Sequence, residues 1–102
     1  MPKVAIIGTI EVEPGRREQL LPFLMEHRAR CMKDEAAITL LMEFLAPYDD
    51  DSKVFLYEVY RDDAAFEVHR NGRSMAQFTR DTAAMRVRLH VTKCALLAGQ
   101  LA

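Results

Sequence analysis

Glu58 is the residue that asks most of its surroundings. It sits inside "VFLYEVY", residues 54 to 60, a run of aromatic, β-branched and long aliphatic residues that reads as a strand. A carboxylate among such neighbours must be paired, hydrogen-bonded or neutral. On one reading Glu58 is a buried anchor, bonded to an arginine or to backbone donors. On the other it is a base with a raised pKa.

Two histidines share this ambiguity. His69 lies on one helical face with Ala65 and Phe66, and so points toward the sheet or a cavity mouth. His27 lies on an apolar helical stripe between Leu24 and Cys31. Each is either a core histidine with one hydrogen-bonded nitrogen or a proton-transfer group. The spacing also sets His27 and Cys31 four residues apart on one helix, a weak metal-binding signal by itself. Tyr57 and Tyr60 fall on opposite faces of their strand, so at most one lines a pocket. Tyr57 goes with Phe55, and Tyr60 goes with Glu58. Phe66, Phe78 and Met42 complete the candidate pocket lining, although aromatic residues and methionines at such positions are more often core.

The elements that must hold these residues follow from periodicity. "KVAIIGTIEVEPG" is a strand closed by Pro14-Gly15. A helix over about 16 to 34 follows, with Leu20, Leu24, His27 and Cys31 on its stripe; Pro22 predicts either a late start or a kink. "AITLLMEFLA", about 37 to 46, is a second strand, with Ile38, Leu40, Met42 and Phe44 on one face. The turn-rich "PYDDDSK" makes a hairpin of it with the third strand. Asp62 caps the next helix and Asn71-Gly72 supplies a left-handed stop. Ser74 and Gln77 spell a capping box for a further helix whose face runs Met75, Phe78, Thr82, Met85 and Leu89. His90 then ends that helix. A fourth strand occupies about 91 to 101.

The order βαββαβ predicts an α+β, ferredoxin-like fold, with helices on one face of a four-stranded antiparallel sheet in a single domain over 1–102. The strands are apolar on both faces, which predicts a homodimer with sheets packed face to face. A net charge of −1 gives no basic face for nucleic acid. No stretch is apolar enough for a membrane span or signal core, and two cysteines without metal-like spacing read as reduced thiols in a cytoplasmic protein. There is no Gly-rich phosphate loop and no nucleophile motif.

The stretch "VFLYEVYRDDAAFEVHRNG" resembles the antibiotic biosynthesis monooxygenase family of dimeric α+β barrels. The matching residues are Phe55, Tyr57, Glu58, Tyr60, Asp62 or Asp63, Ala65 and His69. "VEPGRREQLL" is similar to the family's first strand running through Pro-Gly into a helix. The resemblance covers about residues 3 to 98. It departs before the second strand, where "DEAAIT" has Glu35 but no Gly, and in having no tryptophan, which argues against the haem-degrading branch. The resemblance implies a cofactor-independent oxygenase of a small quinol, phenolic or polycyclic aromatic compound, needing neither metal nor organic cofactor. His69 or His27 would be the base, with Tyr57 orienting the substrate and Glu58 holding a partner. An isomerase of a small hydroxy-ketone phosphate and a non-catalytic ligand binder are the alternatives.

Overall fold

The alternating runs of the sequence build four strands, β1 (Val4–Glu11), β2 (Thr39–Leu45), β3 (Lys53–Tyr60) and β4 (Arg88–Ala95). The structure, a computed structural model, describes residues 2–102. The strands form one antiparallel sheet in the order β2-β3-β1-β4. Three helices, α1 (Arg17–Asp34), α2 (Asp63–Arg70) and α3 (Arg73–Asp81), pack on one face, giving the expected ferredoxin-like α+β fold.

The period of β3 decides what reaches the interior. Val54, Leu56, Glu58 and Tyr60 point toward the helices; Phe55, Tyr57 and Val59 point the other way. On β1 the inward set is Val4, Ile6, Ile10 and, past the strand's end, Val12. Two apolar clusters result. One joins Ile10, Val12, Val54 and Leu56 to Leu20 and Leu24 of α1 and Phe78 of α3. The other joins Val4, Ile6 and Tyr60 to Ala65 and Phe66 of α2. Fully burying each such side chain contributes roughly 1.5–3 kcal/mol, so these clusters are what fixes the helices on the sheet.

Pro22 lies inside α1, which starts at Arg17. The proline falls early enough in the helix that its missing N–H removes a single bond rather than ending the helix. Asp62 caps α2 as expected, its carboxylate accepting from the Ala65 N–H at 2.8 Å.

Four local expectations are corrected. Leu40 is an extra residue in a bulge: Thr39 pairs with Tyr60 and Leu41 with Val59. The bulge turns Leu40 to the outer face and puts Thr39 in the interior. Asn71-Gly72 is not a left-handed stop, since both have negative φ; the Asn71 amide donates to the Glu67 carbonyl instead, and Gly72 becomes the cap of α3. Ser74 and Gln77 form no capping box, because Ser74 is drawn into the interior and the Gln77 amide donates to Asp81. Finally, α3 ends at Asp81, followed by a 3-10 turn and Arg86 in the left-handed region at φ 53. Leu89 and His90 therefore belong to β4, which begins earlier than expected and ends at Ala95. The Met85–Leu89 spacing imitates a helical turn, but Leu89 and Val91 alternate as strand residues.

The outer face of the sheet carries half-exposed Ile7, Leu45 and Phe55. Residues 96–102 run back across it, and Leu96 and Leu101 share a groove there with Leu40, Leu41 and Tyr57. The helices leave the inner face of β4 thinly covered, so Leu89 and Val91 stay 42% and 47% exposed although they point to the helix side. Among the described residues, no helix is long and apolar enough to cross a membrane.

Candidate functional site

Between the sheet and the helices lies a cavity of about 110 Å³. On its floor, Gly8 lets the Leu56 and Val91 side chains close in. This glycine sits on the inner face between Ile6 and Ile10, and its neighbours Leu56 and Val91 all line the hollow. A Cβ at Gly8 would stand 3.1 Å from Leu56 Cδ1 and 3.2 Å from Val91 Cγ1. Phe44, Phe66, Met75 and Phe78 extend the apolar walls, and Leu89 and Val91 form the open side.

Three buried polar side chains interrupt this lining: His27 from α1, His69 from α2 and Glu58 from β3. Rings connect them. Centroids are 5.3 Å apart for Phe78–His27, 5.4 Å for His27–His69, 5.1 Å for His69–Tyr60 and 5.4 Å for Tyr60–Phe66. The histidines therefore stand in a row of aromatic rings that fixes their planes.

Each polar group has one partner behind it. His69 Nδ1 lies 2.8 Å from Glu35 Oε1, at the end of α1. An ionised carboxylate accepts only, so Nδ1 donates, and in the neutral ring it is Nε2 that carries the lone pair. Gly72 makes room for this pair: a Cβ there would be 3.2 Å from Glu35 Oε2 and 3.0 Å from the Val68 carbonyl oxygen. His27 Nδ1 lies 2.9 Å from Ser74 Oγ, which accepts from Arg30 Nε at 2.9 Å. Burial, reinforced by His69, lowers the His27 pKa to about 4, so this imidazole is neutral at pH 7. Tyr60 donates its hydroxyl to Glu58 Oε1 at 2.7 Å. Burial raises the Glu58 pKa, and the Tyr60 hydrogen bond and nearby His69 pull against that rise. Burial and the Glu58 charge likewise raise the Tyr60 pKa. Glu58 is thus a buried carboxyl with a single protein donor.

Cys31 lies between the histidines. Its Sγ is 3.7 Å from His27 Nε2 and 3.7 Å from His69 Nδ1, and burial pushes its pKa up to about 12, keeping it a thiol. This placement needs two helices, so the His27–Cys31 spacing alone hinted at only half of it.

The structure brings His27, His69, Glu58, Phe66 and Phe78 to the cavity wall. Tyr60 stands one layer behind, bonded to Glu58, and Met42 is buried in the core without lining the cavity. Phe55 and Tyr57 do not reach it. They alternate to the outer face, so Tyr57 stands outside this cavity. Glu35, Cys31, Ser74 and Arg30 are the additions. In the sequence Glu35 stands out only as part of a segment before the second strand that lacks a glycine.

A cavity with a carboxylate-backed imidazole, a neutral imidazole and a buried carboxyl can take a proton from a weakly acidic hydroxyl and hold the resulting anion. Comparison with known proteins agrees with this fold. Residues 3–81 match the antibiotic biosynthesis monooxygenase family, and the chain belongs to it. Among solved structures it is similar to PA3566 from Pseudomonas aeruginosa, at 26% identity and a TM-score of 0.82, over 96% of this chain and 97% of that one. NE2512 from Nitrosomonas europaea, of unknown function, superposes with a TM-score of 0.80 at 24% identity, over 100% of this chain and 96% of that one. Rv0793 from Mycobacterium tuberculosis does so with a TM-score of 0.81 at 19% identity, covering 96% and 98% of the two chains. These last two likenesses concern the fold alone. No curated protein matches the chain.

Proposed function

We propose that this protein is a cofactor-independent monooxygenase that oxidises a single-ring quinol or phenol with dioxygen. The observation that carries the reading is His69, with Nδ1 tied to Glu35 and Nε2 free, in the wall of an apolar cavity. In this reading Nε2 removes the phenolic proton. The anion passes one electron to dioxygen, and the radical pair recombines to form a carbon–oxygen bond. The hydroperoxide then loses water, leaving a quinone carbonyl; one oxygen atom enters the product and the other leaves as water. His27, neutral, and the protonated form of Glu58 are placed to hydrogen-bond the anion. The apolar walls keep water from the reactive intermediates.

The size of the cavity favours one ring. A dry cavity of roughly 150 Å³ accepts benzene, and this one measures about 110 Å³. A hydroxy-ketone phosphate isomerase would need a free cation in the cavity. The arginine in the lining, Arg70, donates to Glu67 at 2.8 Å. Chelator-treated protein is expected to accelerate oxygen uptake with a panel of one-ring hydroquinones and to form one quinone per dioxygen. Turnover that persists without oxygen would reject the oxygenase in favour of the isomerase; ligand-induced stabilisation without turnover would leave a binder.

The same proposal includes a homodimer through the outer face of the sheet. Exposed Ile7, Leu45 and Phe55 and half-buried Tyr57 make a contiguous apolar surface there. Light scattering at micromolar concentration is expected to give twice the chain mass of 11.7 kDa. A monomer would refute it.

A further inference from the structure

We propose that His27, Cys31 and His69, with Glu35 behind them, form a binding site for one thiophilic, four-coordinate cation such as zinc, and that loading it switches off the base. The three donors come from two helices, and their ligand atoms lie within 4.8 Å of one another. A tetrahedral ion with one sulfur at about 2.3 Å and nitrogens at about 2.0–2.1 Å holds S and N roughly 3.5 Å apart. His27 Nε2 and His69 Nδ1 already stand 3.7 Å from Cys31 Sγ. The two imidazoles need only close toward each other around the ion.

The surroundings fit a divalent ion. Ser74 holds the far nitrogen of His27, the outer contact that orients a metal-bound imidazole. Glu35 Oε1 lies 2.8 Å from His69 Nδ1, and a shift of its side chain would bring it to the ion as fourth donor. One thiolate and one carboxylate neutralise a charge of +2, so the loaded site buries no net charge. Sulfur with imidazole nitrogen selects zinc or cuprous ion over magnesium or calcium.

Binding would expel the Cys31 thiol proton, and the single proton of the neutral His69 ring would leave Nδ1 for Nε2. With the ion on Nδ1, the remaining imidazole proton belongs on Nε2. That atom changes from proton acceptor to proton donor, so a loaded protein has no base at His69. The inhibitory half of the inference rests on the oxygenase reading; the binding half does not.

The test titrates cobalt(II), then zinc, into reduced, chelator-washed protein. One cobalt per chain is expected, with a thiolate-to-cobalt charge-transfer band and the intense visible bands of four-coordinate geometry. X-ray absorption of zinc-loaded wild-type protein should show one sulfur at about 2.3 Å and N/O donors at about 2.0–2.1 Å. Cys31→Ser should lower affinity more than about a hundredfold, since even the outer partners of metal ligands are worth about ten- to a hundredfold. Cys94→Ser, on the outer face of β4, should bind as wild type. A zinc spectrum without sulfur, or Cys31→Ser binding unchanged, overturns the site. If Cys31→Ser does not fold, the wild-type absorption spectrum decides. Zinc should also abolish oxygen uptake in step with occupancy. Uptake unaffected at full occupancy overturns the switch, whereas protein that binds zinc but never consumes oxygen overturns the oxygenase reading and leaves the site standing.

Discussion

His69→Ala is expected to lower the maximal rate of oxygen uptake by about a hundredfold or more, the usual worth of a positioned general base. The loss should appear in kcat rather than in KM, because the imidazole contributes to the reacting proton more than to the apolar walls that hold the ring. Glu35→Gln should give a smaller loss in the same direction. It keeps the shape of the pair but removes the charge that favours Nδ1–H and stabilises the imidazolium formed during reaction. Stopped-flow oxygen consumption with metal-free enzyme measures both, and near-ultraviolet circular dichroism checks that Tyr60 and the neighbouring rings keep their packing. A His69→Ala protein that turns over as wild type removes this residue from the mechanism.

The second large effect is on stability. The His27 pKa falls from 6.5 to about 4 on folding, chiefly because burial disfavours the charged ring. The unfolded chain therefore binds a proton that the folded chain refuses. Stability from this group is fully present above pH 6.5 and is lost as pH falls toward 4. The loss across that window is on the order of 3 kcal/mol. Glu58 acts in the opposite sense. Its raised pKa means that its contribution is present below the ordinary carboxylate range and is lost as pH rises through the folded value. The comparison that isolates His27 is thus between wild type and His27→Gln. Urea unfolding from pH 7 to pH 4.5 should show a markedly flatter pH dependence in the variant. Parallel curves would mean that His27 does not carry the linkage.

What the sequence revealed and what it concealed divide along physical lines. The two-residue period of β3 was enough to put Glu58 and Tyr60 on one side and Phe55 and Tyr57 on the other. It could not say which side holds the cavity, and the family resemblance drew Tyr57 into the site where Tyr60 stands nearer. The alternating four- and three-residue spacing of Leu20, Leu24, His27 and Cys31 gave the inner stripe of α1 because nothing interrupts it. The bulge at Leu40 is invisible in an apolar run, since one extra residue shows only in strand pairing. Glu35 and Ser74 are short-range enigmas for a similar reason. Each looks like an ordinary helix-end residue until α1 meets α2 and α3, and only then do they find His69 and His27. The close approach of Leu56 and Val91 over Gly8 is hidden as well, because that glycine lies inside a strand whose other residues read as continuous core.

The strand at the sheet's margin has a consequence for which molecules can enter. Helices roof the chamber above β3 and β1, but on the β4 flank its boundary is a pair of half-wetted aliphatic groups, Leu89 and Val91. A guest is therefore limited in thickness by the packed layers and in breadth by Ile6 and Ile10, while its length is free to project past the rim into water. A long flexible tail on the far end of a one-ring phenol should cost little, whereas one bulky group set above the ring plane should bar entry.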